Sequence, residues 1–412
     1  MAGPAGWGNN VPVTHTPTSE DADSSSIFQP ISAGVVAALV GFTSSFAVVL
    51  TGLDAVGASQ TEAASGLLAL CVTQALGMLW LSRKFRQPIT LAWSTPGAAL
   101  LAGTGTVAGG WPAAVGAFLT VGVAVLLTGL WPRLGALIAS IPTSLAQAML
   151  AGVILPLCMA PVTAFAATPL AVGPVVAVWL VLQRYSKRWA VPAAFGVAAV
   201  VIGVSLARGD GSLAVGDMIP RLDVTAPTWT WQALVGIALP LYVVTMASQN
   251  IPGTAVMKSF GYEVPWRASM TVTGLGTIVG APAGGHAVNL AAISAALAAA
   301  PTAHPNPVKR WTAAFTAGWA YLFLALASAA LATLVASAPA GIIETVAGLA
   351  LLATLASSLT SSLRAETDRE AAVLTFVIAA SGVAILGIGS AFWALVAGLM
   401  IRWVLTSTPG GR

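Results

Sequence analysis

Trp93-Ser94-Thr95-Pro96-Gly97 and Gly280-Ala281-Pro282-Ala283-Gly284-Gly285-His286-Ala287-Val288-Asn289 interrupt two stretches otherwise hydrophobic enough to sit in a bilayer, one in each half of the chain. Inside a membrane, non-helical backbone keeps its N–H and C=O groups satisfied only against protein or a water-filled cavity, so such breaks tend to line a site. A matched pair, one per half, is the strongest sequence pointer to the binding site of a secondary transporter.

The composition agrees. Of 412 residues, 57% are hydrophobic and 7% charged, and the mean hydropathy is +0.88. Soluble domains carry about a quarter charged residues, so the chain reads as an all-α polytopic membrane protein with the lipid bilayer as its surroundings. Residues 1–29 are polar, rich in Ser, Thr and Pro, and acidic at Glu20, Asp21 and Asp23. No basic residue precedes the first apolar run, so this stretch reads as a disordered cytoplasmic tail, not a cleaved signal peptide. Cys71 and Cys158 lie within apolar runs at no metal-ligand or disulfide spacing and read as small core residues.

Apolar runs punctuated by turns and charges give about 14 spans. The first half holds them near 31–51, 63–82, 89–106, 112–130, 134–157, 169–183 and 190–207. The second holds them near 232–252, 266–281, 285–300, 311–333, 339–358, 371–386 and 390–405. The predicted organisation is a first repeat over 30–207, an external loop over 208–231, a second repeat over 232–405 and a tail over 406–412.

Basic residues test the count independently, because Lys and Arg accumulate on cytoplasmic loops. Of the 17, Arg83, Lys84, Arg86, Arg133, Arg184, Lys187, Arg188, Lys258, Arg267, Lys309, Arg310, Arg364, Arg369, Arg402 and Arg412 fall on one side; Arg208 and Arg221 fall on the other. Both termini are therefore expected in the cytoplasm, and the net charge of +4 needs no nucleic-acid partner. An odd number of spans per half makes the second half an inverted repeat of the first. Val48-Val49 aligns with Val243-Val244, and Pro96 with Gly284.

Chemistry concentrates at the breaks. Ser94 and Thr95 are good N-cap types ahead of Pro96, so residues 97–101 read as a half-helix pointing its free N–H groups into the membrane. The same reading applies to Gly284-Gly285-His286 followed by a helix over 287–299, with Asn289 one turn beyond His286. Two opposed helix N-termini, each roughly half a positive charge, suit a carboxylate without any buried Lys or Arg. Gln249 and Asn250 precede another helix-breaking pair, Pro252-Gly253, and amides at that depth either join helices or contact substrate.

Other residues divide between ligand and structural roles. Phe42, Phe46, Trp93 and Tyr242 would cover the apolar part of a ligand or simply pack. His286 is the strongest ionisable candidate for carrying a proton, against the plain alternative of a polar residue filling a helix start. Glu344 and Asp54 are further proton-coupling candidates; the first also suits a helix N-terminus and the second a loop. Gln74 and Gln147 read as helix-to-helix contacts. The sequence carries no nucleotide-binding glycine fingerprint, no metal-binding pair of histidines and no nucleophile elbow, which disfavours ATP-driven pumping and enzymatic chemistry.

At these motifs the chain resembles the bacterial benzoate/proton symporter family, BenE. The matching stretches are 89–101 (ITLAWSTPGAALL), 245–253 (TMASQNIPG), 284–293 (GGHAVNLAAI), 347–352 (AGLALL) and 387–398 (GIGSAFWALVAG), and the similarity covers nearly all of 30–405. The resemblance implies import of benzoate or a related aromatic carboxylate with protons across the bacterial inner membrane, without an organic cofactor or metal. It also implies kinship with the nucleobase permease fold, in which a core of spans 1–4 and 8–11 moves against a gate of spans 5–7 and 12–14. Carried over by position, Ser94, Thr95 and Gly97 form one edge of the site, Gly285, His286 and Asn289 the other, and Gln249 and Asn250 lie between. Nucleobase permeases place acidic residues where this chain has those amides, His286 and Asn289, which favours a ligand bringing its own negative charge. A nucleobase-type permease and an anion channel or uniporter on the same scaffold are the rival readings, and a homodimer is a further partner to test.

Overall fold

The computed structural model describes residues 28–209 and 215–406. The expected tails lie outside these residues, apart from 28–29 and 406. In chain order the helices of the first half are α1 (Phe28–Thr43), α2 (Phe46–Ala55), α3 (Gln60–Phe85), α4 (Thr95–Thr104), α5 (Gly110–Leu130), α6 (Pro132–Ala139), α7 (Thr143–Ala167), α8 (Pro169–Tyr185) and α9 (Lys187–Ala207). The second half has α10 (Trp231–Ser259), α11 (Trp266–Gly280), α12 (Ile293–Ala299), α13 (Trp311–Ala325), α14 (Ser328–Ala336), α15 (Ile342–Ser362), α16 (Arg369–Ala380) and α17 (Ser390–Thr406). Among the described residues, seven helices are long and apolar enough to cross a membrane, counting α1–α2 as one. The pair α13–α14, bent by 54°, makes an eighth.

The all-α expectation is corrected by two short strands, β1 (Leu91–Trp93) and β2 (Val288–Leu290), which pair antiparallel with Leu91 opposite Leu290, Ala92 opposite Asn289 and Trp93 opposite Val288. The ladder gives both breaks mutual partners for the N–H and C=O groups that a helix would have satisfied internally. It also overturns the helix expected over 287–299: residues 288–290 are strand, and α12 starts only at Ile293. A short apolar run does not distinguish strand from helix by periodicity, and here β-branched Val288 has a ready edge to pair with. The guanidinium of Arg310 bonds the carbonyls of Ala299 (2.9 Å) and His304 (2.7 Å), occupying a backbone acceptor at the C-terminal end of α12.

Pro252-Gly253 does not break its helix as expected. α10 runs on to Ser259 through two π turns, Leu234–Ala238 and Met246–Asn250. The second ends at Asn250, two residues before the proline, where a widened turn accommodates a ring and a missing N–H that an α-helix would not. Asp54 is likewise not a loop residue, since α2 continues to Ala55.

The helices pack in two groups. α1 and α3 lie against α13, α11 against α3 and α5, and α2 against α4; separately, α7 lies against α15 and α16, α17 against α16, and α8 against α9. Association within a bilayer depends on close packing more than on hydrophobic transfer. Gly52 of α2 illustrates this, because a Cβ there would stand 2.3 Å from the Ala98 carbonyl of α4. An irregular strap over residues 219–230 closes over one end of the first group. Its Thr225 N–H reaches Pro282 O (2.8 Å), its Thr228 N–H reaches Pro112 O (3.0 Å), and Trp111 Nε1 donates to Thr225 Oγ1 (3.0 Å).

Candidate substrate site

Ser94 is the hinge between β1 and α4, and all its polar groups are engaged. Its Oγ accepts from Gly97 N (3.1 Å), capping α4 with Pro96 in the first turn, and from the Thr245 hydroxyl of α10 (3.0 Å). Its N–H donates to Ala287 O (3.0 Å), and its carbonyl accepts from Ala98 N (2.8 Å) and His286 Nε2 (3.0 Å). A carbonyl has no hydrogen to give, so Nε2 of His286 carries one. His286, Asn250 and Asn289 are fully buried.

The second break is held by side chains of neighbouring helices. Asn250 Oδ1 accepts from Leu290 N (2.9 Å), Thr277 Oγ1 accepts from Val288 N (2.9 Å), and Ala291 N donates to Thr90 O (3.0 Å). Asn289 donates from Nδ2 to Leu290 O (2.8 Å). Among the described residues, His286 Nδ1 and Asn289 Oδ1 are buried without a hydrogen bond. Gly284 bends the chain with φ +93°, a left-handed conformation that favours glycine; Gly285 carries no such requirement.

The structure thus joins Ser94, Asn250, Gly285, His286 and Asn289 around one ladder. His286 and Gly285 precede a strand and Asn289 sits within it, so none of the three stands at a helix start; the seven-residue α12 begins only at Ile293, which is exposed. The capped end of α4 follows β1 directly, with Thr95 two residues after Trp93. Thr95 and Gln249 keep partly exposed side chains without a hydrogen bond among the described residues, and the Thr95 N–H is likewise an open donor of that turn. Gly97 admits no Cβ easily, because one would stand 2.4 Å from Leu241 Cδ1 and 2.7 Å from Ser94 Oγ.

Asp54 and Glu344 come together elsewhere, both exposed, on a cavity of about 250 Å³ shared with Thr51 and Gln60; His286 is not among its lining residues. Glu344 Oε2 accepts from Gly341 N (3.0 Å) at the start of α15, where an acid complements the helix dipole. The aromatic candidates largely pack on one another. Phe42 stacks on Phe46 (5.4 Å between centroids), Trp93 meets Phe42 edge-on (5.6 Å) and donates from Nε1 to Ser45 Oγ (2.9 Å), and the Tyr242 hydroxyl pairs with that of Thr128. Sequence reasoning missed Thr245 and Thr277. The available signal was position: Thr245 opens the stretch holding Gln249 and Asn250, and Thr277 lies one turn before Gly280.

The chain matches the family model described as benzoate membrane transport protein, BenE, over residues 24–404. It is 37% identical over 369 residues to the inner membrane protein YdcO of Escherichia coli, covering 89% of this chain and 93% of that one. It is 28% identical over 381 residues to the benzoate membrane transport protein of Acinetobacter baylyi, covering 90% and 94%. Among solved structures, the transmembrane domain of the cyanobacterial bicarbonate transporter BicA superposes with TM-score 0.56 at 13% identity, covering 92% of this chain and 98% of that one. SLC26A9 superposes with TM-score 0.61 at 12% identity over 90% of this chain, which spans 65% of that longer one; likeness at these identities is a likeness of fold. The chain therefore belongs to the BenE family of benzoate membrane transport proteins, and is a multi-pass membrane transporter, not an enzyme.

Proposed function

We propose that this transporter imports benzoate or a related small aromatic carboxylate together with protons, by alternating access across a bacterial inner membrane. The observation that carries the reading is the union of the two breaks at Ser94, beside the capped start of α4 and the π turn of α10. The Thr95 N–H and hydroxyl and the Gln249 amide supply neutral donors, and the positive end of α4 favours an anion. A relative of the same family bears the name of a benzoate transporter.

In this reading the chain crosses the membrane in 14 segments, β1–α4 and β2–α12 being the broken third and tenth. Segments from 30–207 and 232–405 form a 7+7 inverted repeat with both termini cytoplasmic, supported by the one-sided distribution of basic residues. The two packed helix groups correspond to a core, α1–α5 with α10–α14, and a gate, α7–α9 with α15–α17. His286, Asp54, Glu344 or the carboxyl group of the substrate carries the proton.

Uptake of labelled benzoate into proteoliposomes, with and without an inward proton gradient, tests the proposal. Accumulation driven by the gradient and competed by benzoates is the expected result. Gradient-independent flux removes the coupling, competition by uracil in place of benzoate favours the nucleobase reading, and currents far above transporter turnover favour a channel.

A further inference from the structure

The side chains assembled around Ser94 all come from the core, yet alternating access requires the site to sense the gate. One amide crosses between the two groups. Gln147, one turn into α7, accepts at Oε1 from the hydroxyl of Ser358 on α15 (2.9 Å) and donates from Nε2 to Ser248 Oγ on α10 (3.3 Å). Both partners are hydroxyls, so either orientation of the amide is engaged at both ends. Ser358 is buried, and Ser248 lies inside the π turn Met246–Asn250, directly before Gln249 and Asn250.

The placement differs from ordinary helix-to-helix contact in what it holds. A π turn is a local departure from α geometry that commonly marks functional sites, and its backbone needs outside support. On one side Asn250 ties this turn to β2 through Leu290 N (2.9 Å); on the other, Gln147 ties it to the gate. Gln147 is itself fixed from behind, because Ser144 on the preceding turn of α7 donates to Asp368 (2.7 Å), which pairs with Arg402 of α17 (2.8 Å). A neutral amide–hydroxyl bond contributes about 1 kcal/mol net, strong enough to set a side-chain position and weak enough to break in every cycle.

We propose that Gln147 is the positioning residue through which the gate presents Gln249 to the substrate: it holds Ser248, and with it the π turn, in the geometry that binds the carboxylate. The inference rests on the carboxylate-transport reading given above. Motion of the gate then withdraws Gln147 from Ser248 and lowers affinity on that side of the cycle.

The test combines uptake kinetics with hydrogen exchange of the ligand-free protein for wild type, Gln147→Ala, Ser248→Ala, the double variant and Ser358→Ala. Each single change at 147 or 248 is expected to raise KM for benzoate about fivefold, with maximal rate within about twofold, as loss of one such bond implies. The double variant should be no worse than either single one, and Ser358→Ala milder than both. Peptides covering residues 246–253 should exchange faster in Gln147→Ala, while those covering β2 keep the wild-type rate. Additive KM effects, or unchanged exchange over 246–253, overturn the proposal. Wild-type protein that takes up no aromatic carboxylate counts against the transport reading, and the exchange comparison then decides on Gln147 by itself.

Discussion

His286 donates its Nε2 hydrogen to the Ser94 carbonyl across 3.0 Å, joining a residue of one half of the chain to the cap of the broken helix in the other. In the neutral ring that is the one N–H, so a neutral His286 would offer an incoming carboxylate a lone pair at Nδ1 and no donor. An added proton would go to Nδ1 and turn that atom into a donor, so on the proposed carboxylate-transport reading proton and anion would bind at one ring. His286→Ala is expected to cut benzoate uptake roughly tenfold, the effect of losing about 1.4 kcal/mol at the site, and to abolish its stimulation by acid. Initial rates measured over a pH series check this; acid stimulation that survives the substitution assigns the proton to another group.

Asn250, one of the two amides that either join helices or serve the site, accepts at Oδ1 from Leu290 N at 2.9 Å, and its side chain is fully buried. Asn250→Ala leaves that strand N–H unsatisfied and should destabilise the protein by roughly 1–3 kcal/mol. Asn250→Asp keeps the acceptor and should retain more of the melting temperature. Thermal unfolding in detergent separates the two; equal losses would mean that the Leu290 bond is not what Asn250 contributes.

Asp368 supplies a pH dependence away from the membrane-spanning segments. Burial works to raise its carboxyl pKa, but hydrogen bonds from Arg402 (2.8 Å) and Ser144 (2.7 Å) and the Arg402 charge outweigh it and hold the group below the ordinary carboxylate value. A depressed folded pKa contributes stability above the unfolded value of about 3.9 that is lost as pH falls through the folded one. Melting temperature should therefore drop below about pH 4 in the wild type, and Asp368→Asn should be less stable at neutral pH and flatter in that acid window. Parallel acid curves for both proteins would remove Asp368 as the cause.

Much of this architecture was legible in the sequence, for reasons the residues make plain. Ser94 ahead of Pro96-Gly97 carries cap and break chemistry locally, so α4 was readable from five residues. Val288-Asn289-Leu290 was not, because its strand exists only through pairing with residues 91–93, nearly 200 positions away. Pro252 misled in the opposite sense, since the π turn that absorbs it leaves no composition signal. Gln147 reads as generic helix glue until Ser248 and Ser358 are seen on its two ends.

The neighbouring glycines Gly284 and Gly285 should behave differently. Gly284 has φ +93°, and a Cβ there would lie 3.1 Å from Glu62 O, whereas Gly285 has no positive φ and its nearest neighbour would be Gly280 O at 3.1 Å. Gly284→Ala combines backbone strain of about 1–2 kcal/mol with crowding, while Gly285→Ala meets crowding alone. The first should lower the melting temperature by more; the reverse order would place the strained bend elsewhere.

Thr95 and Gln249 separate binding from folding. Neither side chain carries a hydrogen bond among the described residues, and both are partly exposed beside the capped end of α4 or within the π turn. Thr95→Val and Gln249→Ala should therefore leave melting temperature unchanged while weakening benzoate binding about five- to tenfold each, as loss of a hydrogen bond to a charged ligand implies. Ser94→Ala, which removes a cap and the Thr245 link together, should lower both stability and binding. Equilibrium binding of labelled benzoate alongside thermal unfolding checks all three. Undiminished affinity in both Thr95→Val and Gln249→Ala would put the carboxylate against other donors, since no structural bond is lost in those two variants to mask a binding effect.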